Sequence, residues 1–136
     1  MREDPAGTAW LVGVLLPFAR DVLLTILVEG LVLVVALDPR HRVHTRIHAA
    51  WWLSACTLPV VQFVFPLLAA VGWSRWQWVT AAEVFAPAAE CTLFARLIAT
   101  RSDGMRHAMP RDMVTIVLAN ALSFGVGETL LLSGHR

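Results

Sequence analysis

The residues of this chain best equipped for chemistry are acids in apolar surroundings. Glu29, Glu83 and Glu90 each interrupt a long hydrophobic run, and the same kind of run carries Thr57, Gln62, Asn120, Ser123 and Glu128. An ionised carboxylate near the centre of a bilayer costs about 2.5 to 3.5 kcal/mol on insertion scales, so its presence there calls for an explanation. Two are available from the residue types. In one, Glu29 and Glu90, helped by Asn120 and Thr57, bind a cation or exchange a proton. In the other the same side chains hydrogen-bond one another and hold helices together.

Depth and rotation group these residues. Counting from one end of each expected helix at about 1.5 Å per residue places Glu29, Cys56, Thr57, Glu90 and Asn120 roughly 10 to 14 Å deep, one polar layer drawn from four segments. Gln62, Glu83 and Glu128, with Asp21, fall at roughly 21 to 24 Å, and with Ser123 they make up a second layer. Glu83 and Glu90 are seven residues apart, about 20° from eclipsed, so both point to one side of their helix. Ala119, Ser123 and Gly127 repeat small residues at helical spacing, which favours close approach of another helix. Pro59 and Pro87 each remove a backbone bond, exposing the carbonyls of Ala55 and Glu83.

Other groups carry weaker chemistry. His41, His44 and His48 are spaced to present imidazoles on one face to a metal, or to form a basic loop against lipid headgroups. Cys56 and Cys91 lie in apolar segments, where a thiol behaves as a small hydrophobe, with a soft-metal or redox role as the alternative. Six Trp suit interfacial belts before they suit a pigment or quinone. The common intramembrane enzyme signatures are absent: there is no His-Glu-x-x-His, no Gly-x-Ser-x-Gly and no Gly-rich phosphate loop. A Glu acting on lipid by acid/base chemistry is the enzymatic alternative, but the chain reads as a non-enzyme with no catalytic residue and no cofactor beyond a possible cation.

Hydrophobic residues make up 57% of the 136 and charged residues only 15%, against about 45 to 50% and about 25% in soluble domains. Residues 49–74 hold no formal charge, a longer stretch than the roughly 20 residues a spanning helix needs. The expectation is an all-α polytopic membrane protein, one domain over residues 1–136, with an antiparallel bundle of four spans near 18–37, 48–72, 76–99 and 113–133. Every basic side chain is Arg or His, since the sequence has no Lys, and a net charge of +1 points to no nucleic-acid partner. Arg40, Arg42 and Arg46 mark one link, and Arg96, Arg101, Arg106 and Arg111 surround another. Arg2, Arg20, Arg75 and Arg136 are what the opposite side holds. The positive-inside rule then makes both Arg-rich links cytoplasmic and turns both termini outward. Trp10, Trp73, Trp76 and Trp78 fall at the outer interface, Trp51 and Trp52 at the inner one. The first apolar run lacks a small-residue cleavage site and reads as a retained helix rather than a signal peptide.

The pattern resembles a family of small, uncharacterised four-helix bacterial inner-membrane proteins. The likeness rests on Glu29 in the first span, Thr57 with Pro59, Phe63 and Pro66 in the second, Glu83 and Glu90 in the third, and Asn120 with Ser123 in the fourth. It covers about Thr25 to Gly127, and departs from the pattern at Leu58, where the family has His, and at Gly30, where Pro is common. The resemblance implies a bacterial inner-membrane location and removes any chemistry that depends on that His. Together these readings favour a small inner-membrane protein whose Glu/Asn/Thr site binds or passes a cation or proton. The alternative is an accessory or assembly subunit, with the polar layer as packing glue and a homo-oligomer or larger membrane protein as partner.

Overall fold

The computed structural model describes residues 5–97 and 109–133. Arg2, Arg101, Arg106, Arg136 and the end of the third expected span fall outside them, as do the side chains of Trp10 and Asp21. The described chain is helical and contains no strand: α1 (Pro5–Ala36), α2 (Val43–Pro59), α3 (Arg75–Leu97) and α4 (Met109–Ser133).

Local chemistry sets the breaks. Helix α1 ends ahead of Asp38-Pro39, where the ring disfavours helix in the preceding residue. Its last carbonyls are then met by side chains from other helices. Arg46 donates from Nη1 to Val34 O at 3.1 Å, and the Thr115 hydroxyl lies 3.4 Å from Ala36 O. Past Pro59, which lacks an N–H, the chain continues as a π-helical turn, Val60–Val64, and a 3-10 segment, Phe65–Val71. That irregularity is the usual response to a proline inside a helix. Gly72, at φ 94°, closes the segment in the left-handed region that glycine adopts freely. Ser74 and Gln77 then start α3 with a reciprocal capping box: the Ser74 N–H donates to Gln77 Oε1 at 2.8 Å, and the Gln77 N–H reaches Ser74 Oγ at 3.4 Å.

Helix α1 packs on α2 and α4, and α3 packs on α4, on α2 and on the 3-10 segment that extends it. The helices thus form a ring with α1 and α3 on one diagonal. Polarity is distributed inside out. Leu16, Leu23, Leu27, Leu31 and Val35 form an exposed face of α1, and Trp51, Leu67, Val84 and Leu118 are exposed on other elements. Glu29, Thr57, Glu90, Asn120 and Ser123 are buried. Water would reverse this arrangement, whereas hydrocarbon favours it. Two helical stretches, Val43–Val71 and Met109–Leu130, are long and apolar enough to cross a membrane.

The dry core is compact and off-centre. Leu33, Leu37, Leu53, Phe94 and Ile116 pack with Ala49, Ala50 and Ala119 toward the end of the bundle that holds the α1–α2 link. The buried acids begin on the other side of this plug.

Candidate functional site

Four helices converge on two carboxyl groups. Glu29 on α1 accepts from Ser54 of α2 at 2.9 Å on Oε2 and from Ser123 of α4 at 3.0 Å on Oε1. Glu90 on α3 accepts from Thr57 of α2 at 2.8 Å on Oε1 and from Asn120 of α4 at 2.8 Å on Oε2. Each acid on the diagonal is thereby tied to both helices of the other diagonal. The spacing explains it: Ser54 and Thr57 are one helical turn apart, as are Asn120 and Ser123, so each pair points the same way and divides between the two acids. Asn120 uses its second amide hydrogen on Ile116 O at 3.1 Å, which fixes the orientation of the amide.

Three of the four donors are hydroxyls with a second acceptor in reach. Ser54 Oγ lies 3.1 Å from Ala50 O, Thr57 Oγ1 lies 3.1 Å from Leu53 O, and Ser123 Oγ lies 2.9 Å from Asn120 O. A hydroxyl has one hydrogen and two lone pairs. Facing a carboxylate it donates to it; facing a carboxylic acid it accepts the acid's O–H and turns its own hydrogen to the helix carbonyl. The layer therefore satisfies either protonation state of each Glu without moving a backbone. All four partners are neutral, and among the described residues no cation is hydrogen-bonded to either acid.

Beyond the acids a cavity of about 160 Å³ opens between the helices. Glu29, Thr57, Asn120 and Ser123 border it on one side, and Gln62, Glu83 and Glu128 further along. Glu128 is paired with Arg75, whose Nη2 donates to Oε1 at 2.7 Å while its guanidinium sits 5.4 Å from the Trp76 ring. Glu83 receives no hydrogen bond and forms no ion pair among the described residues. A shallower apolar groove of about 360 Å³ between α3 and α4 shares Glu83, Asn120 and Phe124 with the cavity.

At the opposite end of the plug lies a second buried acid. Asp112, in the first turn of α4, accepts from His41 Nε2 at 2.8 Å on Oδ2 and from the Asp38 N–H at 2.9 Å on Oδ1. Asp38 in turn accepts the Arg40 N–H at 2.9 Å. That bond, with the Arg40 guanidinium nearby, holds the Asp38 carboxyl below the usual carboxylate range. Arg46 closes the link by donating from Nε to His41 O at 3.1 Å. The His41 ring is wholly enclosed, stands edge-on to Phe94 at 5.6 Å, and leaves Nδ1 with no hydrogen-bond partner.

The structure revises several expectations. His41 turns inward to Asp112 while His44 and His48 stay exposed, so the three imidazoles neither face one ligand nor line one headgroup surface. Among the described residues no group of three or more His, Cys, Asp or Glu is arranged to hold a metal. Ser123 joins Glu29 rather than the outer residues. Ala119 and Ser123 are spent inside the bundle, and a Cβ at Gly127 would meet nothing within 4 Å, so the small-residue stripe is not a seam closed along its length. Cys56 and Cys91 are free thiols, the latter 3.7 Å from Met113 O. The sequence gives no role to Ser54 or Asp112, and it marks Asp38 and Arg46 only as parts of a turn and a basic link. The signal for Ser54 was available, because Ser54-x-x-Thr57 has the spacing of Asn120-x-x-Ser123.

No known protein family, curated protein or solved structure matches the chain.

Proposed function

We propose that the chain is a four-span inner-membrane protein whose Glu29/Glu90 layer exchanges a proton with one side of the membrane. The observation that carries this reading is the set of neutral, reorientable donors on two enclosed acids, of which Glu29 borders the cavity directly and Glu90 reaches its wall through Thr57 and Asn120. A proton suits the layer better than a metal cation. The carboxylate oxygens face hydrogens of Ser54, Thr57, Asn120 and Ser123, whereas a bound cation needs oxygen lone pairs turned toward it. The cavity has room for several waters at about 30 Å³ each, enough for a relay past Gln62 and Glu83. The apolar plug of Leu33, Leu53, Phe94 and Ile116 lies on the other side of the acids, so among the described residues the cavity approaches them from one side. By the placement of arginines, the open side is the outer one, together with both termini.

Proteoliposomes enclosing a pH-sensitive dye test the proposal. An imposed pH gradient should collapse faster with the wild type than with Glu29→Gln or Glu90→Gln, each confirmed as folded. Equal rates for all three, or for wild type and empty vesicles, overturn it.

A second reading draws on the same bonds. Each oxygen of Glu29 and Glu90 already has a donor within the chain, as helix-packing glue in an accessory subunit requires. Extraction in mild detergent followed by mass spectrometry tests that reading. A stoichiometric membrane partner, with no proton passage, favours it over the first.

A further inference from the structure

Three carboxyl groups border the cavity between the helices, and their surroundings differ. Glu29 has two hydroxyl donors, and Glu128 has the Arg75 guanidinium. Glu83 has neither a donor nor a cation among the described residues, yet it lies on the boundary between the cavity and the α3–α4 groove. Apart from Thr80 and Asn120 the rest of the groove is apolar, with Trp76, Val84, Val117 and Phe124 on its walls, and its outer edge is formed by side chains as exposed as Trp76 and Val84. At about 360 Å³ it falls within the usual range of roughly 300 to 1,000 Å³ for small-ligand pockets.

We infer that the α3–α4 groove binds a small amphiphilic organic cation, its apolar body between Trp76 and Phe124 and its ammonium head against Glu83 and Asn120. The shape supplies an apolar slot open to the side, and the one uncompensated acid at its inner end supplies the charge complement. Glu83 is eight residues into α3, about 12 Å from its start, so the charge must be carried well below the interface on a slender apolar body. A zwitterionic phospholipid is disfavoured as occupant, because its phosphate would accompany the ammonium toward Glu83 and Glu128. A singly charged amine carries no such group. The Asn120 side chain links this groove to the proposed proton site, but the inference goes beyond that reading and stands without it.

The test is calorimetric titration of the full chain in phosphatidylcholine nanodiscs, with empty discs as the blank. The probes are 4-phenylbutylammonium and its neutral counterpart 4-phenylbutanol. The ammonium should bind the wild type about tenfold or more tightly than the alcohol. Glu83→Gln should erase that preference while leaving alcohol binding in place. Ala121→Phe, which fills the groove from its exposed wall, should weaken both probes. Equal affinity of the two probes for the wild type overturns the inference, as does a preference that survives Glu83→Gln or binding of both that ignores Ala121→Phe. Displacement of the amine by phosphatidylethanolamine placed in the disc would assign the groove to lipid and also overturn it. Because this readout is binding and the earlier one is dye response to a pH gradient, either proposal can fail alone.

Discussion

Two enclosed carboxylate sites lie on either side of one apolar plug, and they are built on opposite principles. Asp112 is matched with His41, a side chain able to carry the opposite charge, and with a backbone N–H from the α1–α2 link. Glu29 and Glu90 meet only hydroxyls and an amide. The first arrangement is a clasp: it joins α4 to the link, its partners have no alternative acceptors within the described network, and one imidazole nitrogen is left unsatisfied to maintain it. The second tolerates both protonation states, since each hydroxyl has a helix carbonyl to turn to. A carboxyl group held by a specific partner stabilises one state of the chain; one held by reorientable neutral donors is free to change its own.

The difference can be broken from the clasp side first. Asp112→Ala leaves His41 and the Asp38 N–H enclosed without their acceptor, and should cost about 3 to 5 kcal/mol, the usual penalty for breaking a buried pair. Thermal or denaturant unfolding in detergent measures it, and a loss under about 1 kcal/mol would show the clasp to be incidental. Next comes the plug that keeps the two sites apart. Leu53→Ala removes a fully enclosed side chain and should cost roughly 2 to 5 kcal/mol, depending on how far the neighbours close in.

Glu90→Gln sharpens the contrast. Its carbonyl still accepts from Asn120, its new N–H₂ donates to Thr57 Oγ1, and Thr57 turns to Leu53 O, so every polar atom keeps a partner. Stability should change by about 1 kcal/mol or less. A loss as large as that of Asp112→Ala would mean that the charge at Glu90 is structural. The smallest expected effect is a pH dependence at the link. The folded-state value of Asp38 lies below its ordinary one of about 3.9. Its contribution is therefore complete above that value and is lost as pH falls through the depressed folded one. Unfolding followed between roughly pH 5 and pH 2 should show that decline. The slope should flatten in Asp38→Asn.

Much of the architecture was legible because it depends on quantities a sequence carries directly. Hydrophobic fraction, run length and the breaks at Asp38-Pro39 and near Gly72 determine helices and their number, although α1 begins at Pro5 and α2 at Val43, ahead of the expected spans. Helical periodicity also put Glu83 and Glu90 on one side of their helix, where Glu90 is buried and Glu83 is half-buried at the cavity. Ser123 was grouped with the outer residues although it lies only three residues, about 4.5 Å, beyond Asn120, and a hydroxyl between two layers can reach either way. Ser54 was invisible to hydropathy, which treats a lone Ser in an apolar run as filler.

What the sequence by itself determined is the inside-out character of this protein: too little charge for a water-facing surface, and acids that had to be gathered inward. What only the tertiary structure decided is the pairing. The division of Ser54 and Ser123 to Glu29, Thr57 and Asn120 to Glu90, and His41 to Asp112 depends on which helices are neighbours and which are diagonal. That order is set by packing between segments distant in the chain, to which local periodicity is blind. The exposure of Glu83 to a groove shared by two helices has the same origin: a cavity is a property of two surfaces that fail to meet.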